Sequence, residues 1–268
     1  ARAGKHVVVE KPMDVTLEQA DSLIAACRAA DVRLSVVSQF RFLDAVVRTR
    51  EAVAAGRFGR LTLGSAYVKW HRPQSYYDSA AWRGTWALDG GGCLINQSIH
   101  AIDQLVHLCG PVARVQAATA TLAHAVEVED VAAAALTFAH GGLGHVLGTT
   151  AAFPGQAARL ELHGTRGTVC LDLGGRVRLW EFADEQGEPG TWGRAVQEAD
   201  VVTVRVEGAA DPKAISVENH RRQFADVAEA IRDGRAPFVS GEEGRKALAV
   251  ILAIYRSARE GREVAVDG

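Results

Sequence analysis

The stretch GGGCLINQSIHAID, from Gly90 to Asp103, is the feature around which the rest of this sequence is organised. Three consecutive glycines lead into a predicted helix that carries Asn96, His100 and Asp103, and spacings of four and three residues place these side chains on one helical face. An imidazole titrates near neutral pH, so a histidine with two possible orienting neighbours suits proton transfer to or from a small substrate. The same residues also fit a polar face on an ordinary buried helix, and for a single histidine that interpretation is the commoner one.

The segments before this stretch begin with the pattern of one strand-helix-strand unit. The apolar run Val7–Val9 predicts a buried strand, Thr16 with Gln19 predicts the start of a helix, and residues 34–37 predict a second strand. This unit is the smallest piece of a doubly wound domain with a parallel sheet. The unit therefore predicts part of an α/β domain at the start of the chain.

A second helix is predicted over residues 42–56, with Val46, Val47 and Val53 on its inner face. The alternating segment 61–70 then predicts a central strand of an open sheet. Seven further runs with a strand pattern cover residues 115–122, 131–138, 143–150, 159–163, 168–173, 177–182 and 201–206. Two helices over residues 218–233 and 241–260 follow, so the predicted fold class is α/β (α+β), with an open, mostly antiparallel sheet and helices on one face.

Composition and charge favour a globular protein that acts on a small molecule. The 268 residues are 48% hydrophobic and carry a net charge of −2, which gives no reason to expect nucleic acid or an anionic membrane surface as a partner. The cysteines are far apart, without a CxxC pair, which argues against a zinc or other metal site and favours a reducing, cytoplasmic location. No apolar run reaches the roughly 20 residues that a membrane span needs.

Four motifs occur in a fixed order: GKHVVVEKP at residues 4–12, RFGRL at residues 57–61, an aromatic loop leading into GGGCLINQSIHAID, and LELHGTRGTVCL at residues 160–171. Together they resemble the Gfo/Idh/MocA family, which is named after glucose–fructose oxidoreductase, inositol dehydrogenase and rhizopine catabolism. The resemblance covers nearly the whole chain. It implies a Rossmann domain, a second α/β domain built on a large open sheet, and oxidation of a sugar or polyol hydroxyl with NAD or NADP.

The resemblance implies a cofactor-binding role for residues around the EKP motif. Lys11 matches the family lysine beside the nicotinamide and the reacting hydroxyl, and Pro12 and Glu10 belong to the same motif. Gln39 and Arg41 match a segment near the nicotinamide end of the cofactor. A cation at Lys11 can lower the cost of charge on the substrate oxygen. Without this context a lysine at the end of a strand would more often be a solvated side chain.

The resemblance identifies His100 as the general base, and Asn96 stands where many family members have aspartate. An amide can orient an imidazole or bind a sugar hydroxyl, but it cannot add the negative charge that would raise the pKa of His100. Asp103 could supply that charge or hold the helix in place, and the second role is favoured. The predicted catalytic residues are therefore Lys11, His100 and Asn96.

The aromatic loop, residues 71–86, is expected to select the substrate. Together with Asn96 and His100, the residues assigned to substrate binding are Lys69, Tyr77, Trp82 and Arg83. Flat faces with polar tips suit a sugar ring, and the cationic side chains suit hydroxyls or an anionic group. Packing between subunits explains the aromatic residues equally well, because family members associate through the outer face of the open sheet, and a homo-oligomer is expected.

Residues 1–40 are predicted to be the remnant of a dinucleotide-binding domain, and residues 41–268 the substrate-binding and oligomerisation domain, with residues 240–268 packing back towards the remnant. The sequence holds no G-x-G-x-x-G motif after a strand, so the pyrophosphate-binding part is expected to precede this chain, which alone is not expected to bind the cofactor. Two other functions stay open. One is an NAD-dependent glycosidase, and the other is a non-catalytic, sugar-binding regulator.

Overall fold

The computed structural model describes residues 1–183 and 217–267, and the first of these residues form the predicted strand-helix-strand unit. Strand β1 (Val7–Val9) pairs in parallel with β2 (Leu34–Val36), and α1 (Leu17–Ala29) connects them. The prediction that β1 is buried is wrong, because β1 is an edge of this two-stranded sheet and Val8 is 40% exposed. The hydroxyl of Thr16 accepts a hydrogen bond from the Gln19 backbone N–H at 3.2 Å, so the predicted cap begins this helix.

The other helices are α2 (Asp44–Ala54), α3 (Gln74–Asp78), α4 (Ile99–Cys109), α5 (Glu218–Arg232) and α6 (Gly241–Glu260). The other strands are β3 (Leu61–Lys69), β4 (Val112–Ala120), β5 (Val131–Phe138), β6 (Leu143–Thr149), β7 (Arg159–Gly164), β8 (Gly167–Asp172), β9 (Val177–Phe182) and β10 (Val264–Ala265). The strand predicted over residues 201–206 lies outside the described residues. Val47 was predicted to face inward from α2, but it is 41% exposed and lies on the outer face of that helix.

Eight of the described strands form one sheet, in the order β10-β4-β5-β6-β3-β7-β8-β9. Among the described residues, only β3 and β6 pair in parallel within this sheet, and each other neighbouring pair is antiparallel. The prediction of a mostly antiparallel sheet with β3 near its centre is therefore confirmed. The parallel pair arises because β6 follows β5 in a hairpin that returns the chain beside β3.

Helix α4 covers one face of this sheet. A Cβ atom on Gly64 would lie 2.7 Å from the Cys109 sulfur and 3.2 Å from Leu105 Cδ1, so even-numbered residues of β3 face α4. Successive residues of a strand point to opposite faces, which places Tyr67 and Lys69 on the other face. Apolar side chains of α4 and of the turns before it are fully buried in the core between helix and sheet, among them Leu94, Ile95, Ile102, Leu105 and Leu108.

The start of α6 packs directly on β2. The Ser35 hydroxyl donates to the Val239 carbonyl at 2.8 Å, and the Val36 N–H donates to the same oxygen at 3.2 Å. Gly244 faces Val36 so closely that a Cβ atom would collide with the valine side chain. The C-terminal segment thus touches the strand-helix-strand unit, while the division of the chain at residue 40 stays a prediction. None of the described helices is both long and apolar enough to cross a bilayer.

Candidate active site

Lys11 follows the C-terminal end of β1 and reaches across to the turn that precedes α4. Its ammonium donates a hydrogen bond to the Asn96 carbonyl at 2.9 Å, which joins positions 85 residues apart in the chain. The Lys11–Pro12 peptide bond is cis. Burial lowers the pKa of Lys11, and the neighbouring carboxylates of Glu10 and Asp89 only partly offset this effect. The hydrogen bond therefore fixes the position of the predicted catalytic lysine, and its lowered pKa makes the ammonium easier to deprotonate.

The glycine triplet before α4 is held by a buried carboxylate that the sequence did not indicate. Glu129 accepts hydrogen bonds at 2.9 Å from the backbone N–H groups of Gly92 and Leu94 and from the Tyr255 hydroxyl. A Cβ atom on Gly92 would collide with the Glu129 backbone carbonyl, and one on Gly91 would collide with the Tyr255 hydroxyl. Burial raises the pKa of Glu129. These contacts fix the start of a π-helical segment, Cys93–Ser98, that runs into α4.

Asn96 pairs with a second carboxylate that the sequence analysis missed. Its amide nitrogen donates to Asp89 Oδ1 at 2.6 Å, and the Gly84 N–H donates to Asp89 Oδ2 at 3.0 Å. Burial raises the pKa of Asp89. The available signal was the position of Asp89 directly before the glycine triplet, since carboxylates are favoured near the start of a helix. A carboxylate therefore accompanies Asn96 after all, but it comes from the preceding loop.

His100 lies in a tight niche that it shares with Lys11. Its ring packs edge-on against Phe40, with 4.9 Å between the ring centroids. The niche has a volume of only about 10 Å³, which is too small for a ligand. Burial, followed by the charges of Lys11 and His220, lowers the pKa of His100 well below its ordinary value. The imidazole is therefore neutral at neutral pH, the form that a general base needs.

The predicted orienting partners of His100 are both engaged elsewhere. Asn96 turns its amide to Asp89, and Asp103 forms a buried, two-bond ion pair with Arg41, at 2.9 Å to the guanidinium Nε and 2.7 Å to Nη2. The remaining Arg41 nitrogen donates to Glu243 at 2.9 Å. Asp103 thus holds α4 in place, which agrees with the favoured interpretation. These contacts give Arg41 a structural role, and its contact with the cofactor stays a prediction.

A cavity of about 380 Å³ opens beside Lys11, within the size range of small-molecule sites, roughly 300–1,000 Å³. Its walls are formed by Lys11, Pro12, Asp14, Val15, Trp82, Ala87, Leu88, Asp89 and Asn96. Lys11 and Pro12 line both this cavity and the niche of His100. Lys11 therefore stands between the space where a ligand fits and the candidate base.

The other predicted substrate residues are distributed around this cavity. Trp82 lines it, and Arg83 is close enough for its charge to contribute to the lowered pKa of Lys11. Tyr77 is buried beneath the loop, where its hydroxyl lies 2.7 Å from that of Thr150 and burial raises its pKa to about 12. Lys69 points to the sheet face opposite α4, with its ammonium 5.3 Å from the ring centroid of Tyr67. Tyr77 and Lys69 therefore lie outside the lining of this cavity, and their assignment to substrate binding stays a prediction.

Two residues assigned to the cofactor site lie near this centre without lining the cavity. Glu10 is exposed and accepts a hydrogen bond from the Lys11 backbone N–H at 3.2 Å. Gln39 is buried, and within the described ranges its side-chain oxygen has no hydrogen-bond partner. An unsatisfied buried amide oxygen is costly and is a natural acceptor for a ligand group.

Comparison with known families and structures agrees with this architecture. Residues 1–38 match the model of an oxidoreductase family with an NAD-binding Rossmann fold, and residues 46–170 match the Gfo/Idh/MocA C-terminal domain. The WlbA dehydrogenase from Bordetella pertussis, crystallised with NADH and UDP-GlcNAcA, is 35% identical, with a TM-score of 0.83 over 100% of this chain and 74% of that one. The chain belongs to the Gfo/Idh/MocA family of oxidoreductases.

Two curated members of the Gfo/Idh/MocA family align with almost all of the chain. NADP-dependent scyllo-inositol 2-dehydrogenase of Bacillus subtilis is 28% identical over 273 residues, which cover 99% of this chain and 74% of the relative. D-apiose dehydrogenase of Paraburkholderia graminis is 28% identical over 280 residues, which cover 98% of this chain and 67% of that protein. The relatives are thus sugar and polyol dehydrogenases, and the resemblance found in the sequence is confirmed.

Proposed function

We propose that this protein is an NAD(P)-dependent oxidoreductase that oxidises a hydroxyl of a sugar, a polyol or a sugar derivative by hydride transfer. Lys11 and His100 move the proton of that hydroxyl. The observation that carries the proposal is the position of Lys11, which lines both the 380 Å³ cavity and the niche of His100. The family relationship supports the reaction class, and the sugar and polyol dehydrogenases among the relatives support the substrate class.

The residues around Lys11 fit the nicotinamide end of the cofactor. Pro12 and Trp82 offer flat apolar surfaces to the same cavity, and Trp82 is 41% exposed, so its ring is accessible to a ligand. The unpartnered side-chain oxygen of Gln39 is an acceptor of the kind that a carboxamide N–H satisfies. When bound, the cofactor supplies the hydride acceptor. Pro12, Trp82 and Gln39 are thus the residues proposed to hold it at this end.

Each residue of the catalytic set contributes a separate step of the proposed mechanism. Lys11, fixed by its bond to the Asn96 carbonyl, lowers the energy of negative charge that develops on the substrate oxygen. Because burial lowers the pKa of Lys11, its ammonium can pass a proton to the neutral His100, and the amine so formed takes up the proton of the substrate hydroxyl. His100 lines only the niche, so its proton exchange with the substrate passes through Lys11. Asn96 and Asp89 hold the cavity wall in position.

The direct test is the formation of NADH or NADPH by the purified full-length gene product with a panel of inositols, pentoses, hexoses and UDP-linked sugars, including UDP-GlcNAcA. Lys11→Met, which keeps the length of the side chain but removes its charge, is expected to lower kcat by about 10²–10⁴-fold. The matched control is Lys5→Met, since Lys5 is exposed and precedes the opposite end of β1. Equal activity of Lys11→Met and wild type would contradict the proposed role of Lys11.

The same panel separates the alternative functions. Release of a sugar from a glycoside with no net formation of NADH or NADPH would identify a glycosidase that oxidises its substrate only transiently. Saturable sugar binding without turnover under either cofactor would identify a non-catalytic, sugar-binding relative. Net reduction of NAD or NADP with a free sugar or polyol is the outcome that the proposal predicts.

A further inference from the structure

We propose that Arg83, which stacks on the cavity-lining Trp82, binds an anionic group of the substrate, a carboxylate or a phosphate, that extends out of the cavity. This inference rests on the proposed function, because it names the chemical class of the sugar that the same site accepts. The substrate would then be a sugar acid or a sugar phosphate and not a neutral sugar.

The guanidinium of Arg83 is held in one orientation before any ligand arrives. Its central carbon lies 4.3 Å from the ring centroid of Tyr76 and 4.4 Å from that of Trp82, and its Nη1 donates to the Tyr76 hydroxyl at 2.6 Å. That hydroxyl also accepts a hydrogen bond from the Gln97 amide at 2.8 Å, so the tyrosine is itself fixed. A planar cation fixed between aromatic side chains loses little freedom when it binds a planar anion.

Arg83 has no carboxylate within ion-pair distance among residues 1–183 and 217–267, and its Nε is buried without a hydrogen-bond partner there. Arg41 provides the contrast inside the same molecule, because Asp103 and Glu243 satisfy its buried guanidinium. Arg83 is half-buried, but its Nε atom is buried and has lost its water without gaining a hydrogen bond. The Arg83 guanidinium is therefore already oriented and still has a hydrogen-bond donor without a partner, which an anion could satisfy.

The groups around Arg83 include both cations and the carboxylates of Asp89 and Glu10. Its charge adds to burial in lowering the pKa of both Lys11 and Arg72, so three cations lie within electrostatic range of one another. The two carboxylates that line the cavity are already occupied. Asp89 accepts from Asn96 and Gly84, and Asp14 accepts from the backbone N–H groups of Val15 and Thr16. Neither carboxylate accepts a hydrogen bond from Arg83, so a carboxylate or phosphate on the substrate would be the ion-pair partner of this guanidinium.

The test compares binding and turnover of matched neutral and anionic probes, namely glucose against glucuronate and glucose 6-phosphate, in the presence of the preferred cofactor. Wild-type protein is expected to bind one anionic probe at least about tenfold more tightly than glucose, the ratio that one charged hydrogen bond supplies. Arg83→Gln should abolish most of that preference, measured as the ratio of the two dissociation constants in the same variant. The glucuronate and phosphate arms identify which anion the site takes.

Two further variants exclude a general effect of the substitution. Arg83→Lys keeps the charge but loses the planar stacking, so it should recover only part of the preference. Arg60→Gln removes an exposed guanidinium elsewhere and should leave the preference unchanged. Because Arg83→Gln could fold poorly, the salt dependence of the wild-type preference is measured as well, and it should weaken as ionic strength rises.

Equal binding of neutral and anionic probes by the wild type would overturn the inference, as would an unchanged preference in a folded Arg83→Gln variant. These results differ from failure of the proposed function, which would show as no reduction of NAD or NADP with any sugar, neutral or anionic. A neutral sugar that is oxidised efficiently would leave the oxidoreductase function standing and remove only the anion site.

Discussion

At the scale of single residues, the sequence picked out side chains that the structure brings together but misassigned their partners. Lys11, Asn96 and His100 do meet in one region, as the motifs predicted. The prediction that Asn96 or Asp103 orients His100 assumed the regular turn of an α-helix. Residues 93–98 instead wind as a wider π-helical turn, so the faces before and after it are offset. Asn96 consequently turns to Asp89, whereas Asp103 turns to Arg41, and both pairings depend on loops that local periodicity cannot describe.

The Asn96 and Asp89 pair makes Asn96→Asp an informative substitution. The Asn96 amide nitrogen now lies 2.6 Å from Asp89 Oδ1, so the substitution would place two carboxylates side by side. Because two negative charges repel at this distance, one of the two carboxyl groups should keep its proton and have a raised pKa. A carboxyl group with a raised folded pKa loses stability as pH rises. The variant should therefore be close to wild type at acidic pH and about 1–3 kcal/mol less stable at neutral pH. Urea unfolding at both pH values measures this difference.

The matched control exchanges the two side chains. The double variant Asp89→Asn with Asn96→Asp restores one amide and one carboxylate, and the new amide oxygen can still accept from the Gly84 N–H. It should recover most of the stability that Asn96→Asp loses. If the exchanged pair is no more stable than Asn96→Asp alone, the hydrogen bond between these side chains is not what holds this wall of the cavity.

At the scale of helices and strands, the local sequence patterns predicted several of the first and last residues correctly. Strands β5 and β9 and helix α6 have the predicted limits. The Ser240 hydroxyl accepts from the Glu243 N–H at 3.3 Å to begin α6, and Gly261 ends it with a left-handed conformation. The strand order could not be predicted in the same way. The parallel pairing of β3 with β6 joins segments distant in sequence, and its register brings Gly64 opposite Gly144.

The glycine triplet offers the sharpest prediction at this scale. Gly92→Ala would force a methyl group into the Glu129 backbone carbonyl. Glu129 cannot easily move away, because it lies next to the start of β5 and its side chain accepts three hydrogen bonds. We expect the free energy of unfolding to fall by about 1–3 kcal/mol or more, the usual cost of overpacking. Chemical denaturation measures the loss.

The control for this substitution is Gly174→Ala. A Cβ atom there meets nothing within 4 Å, and the residue lies in the turn between β8 and β9. Its effect should stay within about 0.5 kcal/mol. A Gly92→Ala variant as stable as Gly174→Ala would mean that the loop before α4 can move away from Glu129.

At the scale of the whole molecule, one buried ion network links three parts of the chain. Arg41 follows β2, Asp103 belongs to α4 and Glu243 to the first turn of α6. Burial would lower the pKa of Arg41, but the two carboxylates outweigh it and raise that pKa. The pairing of Arg41 with Asp103 and Glu243 could not be predicted from local sequence patterns, because the partners are 62 and 202 positions away in the chain.

His107 lies beside this network and should make the stability of the molecule depend on pH. Burial, assisted by the charges of Arg41 and Arg50, lowers the pKa of His107 to about 3. An unfolded histidine binds a proton near pH 6.5, so the unfolded state gains stability as pH falls below that value. His107→Gln should therefore reduce the slope of unfolding free energy against pH, between about pH 4.5 and 6.5, by up to about 1.4 kcal/mol per pH unit.

The control is His6→Gln, which removes an exposed imidazole that lies outside the network. Unfolding by urea over the same pH series compares the three proteins. A slope for His107→Gln that equals that of the wild type would show that His107 takes up its proton without cost to the fold.

The central claim, that Lys11 and His100 serve one proton path, is tested most directly by a double-mutant cycle in kcat. The proteins compared are the wild type, Lys11→Met, His100→Ala and the double variant, with the sugar and cofactor that give the highest turnover. The proposed path runs from the substrate through Lys11 to His100, so each single substitution should lower kcat by about 10²–10⁴-fold. The double variant should then fall within about threefold of the slower single variant. Multiplied losses in the double variant, or near-wild-type turnover by His100→Ala, would contradict the account.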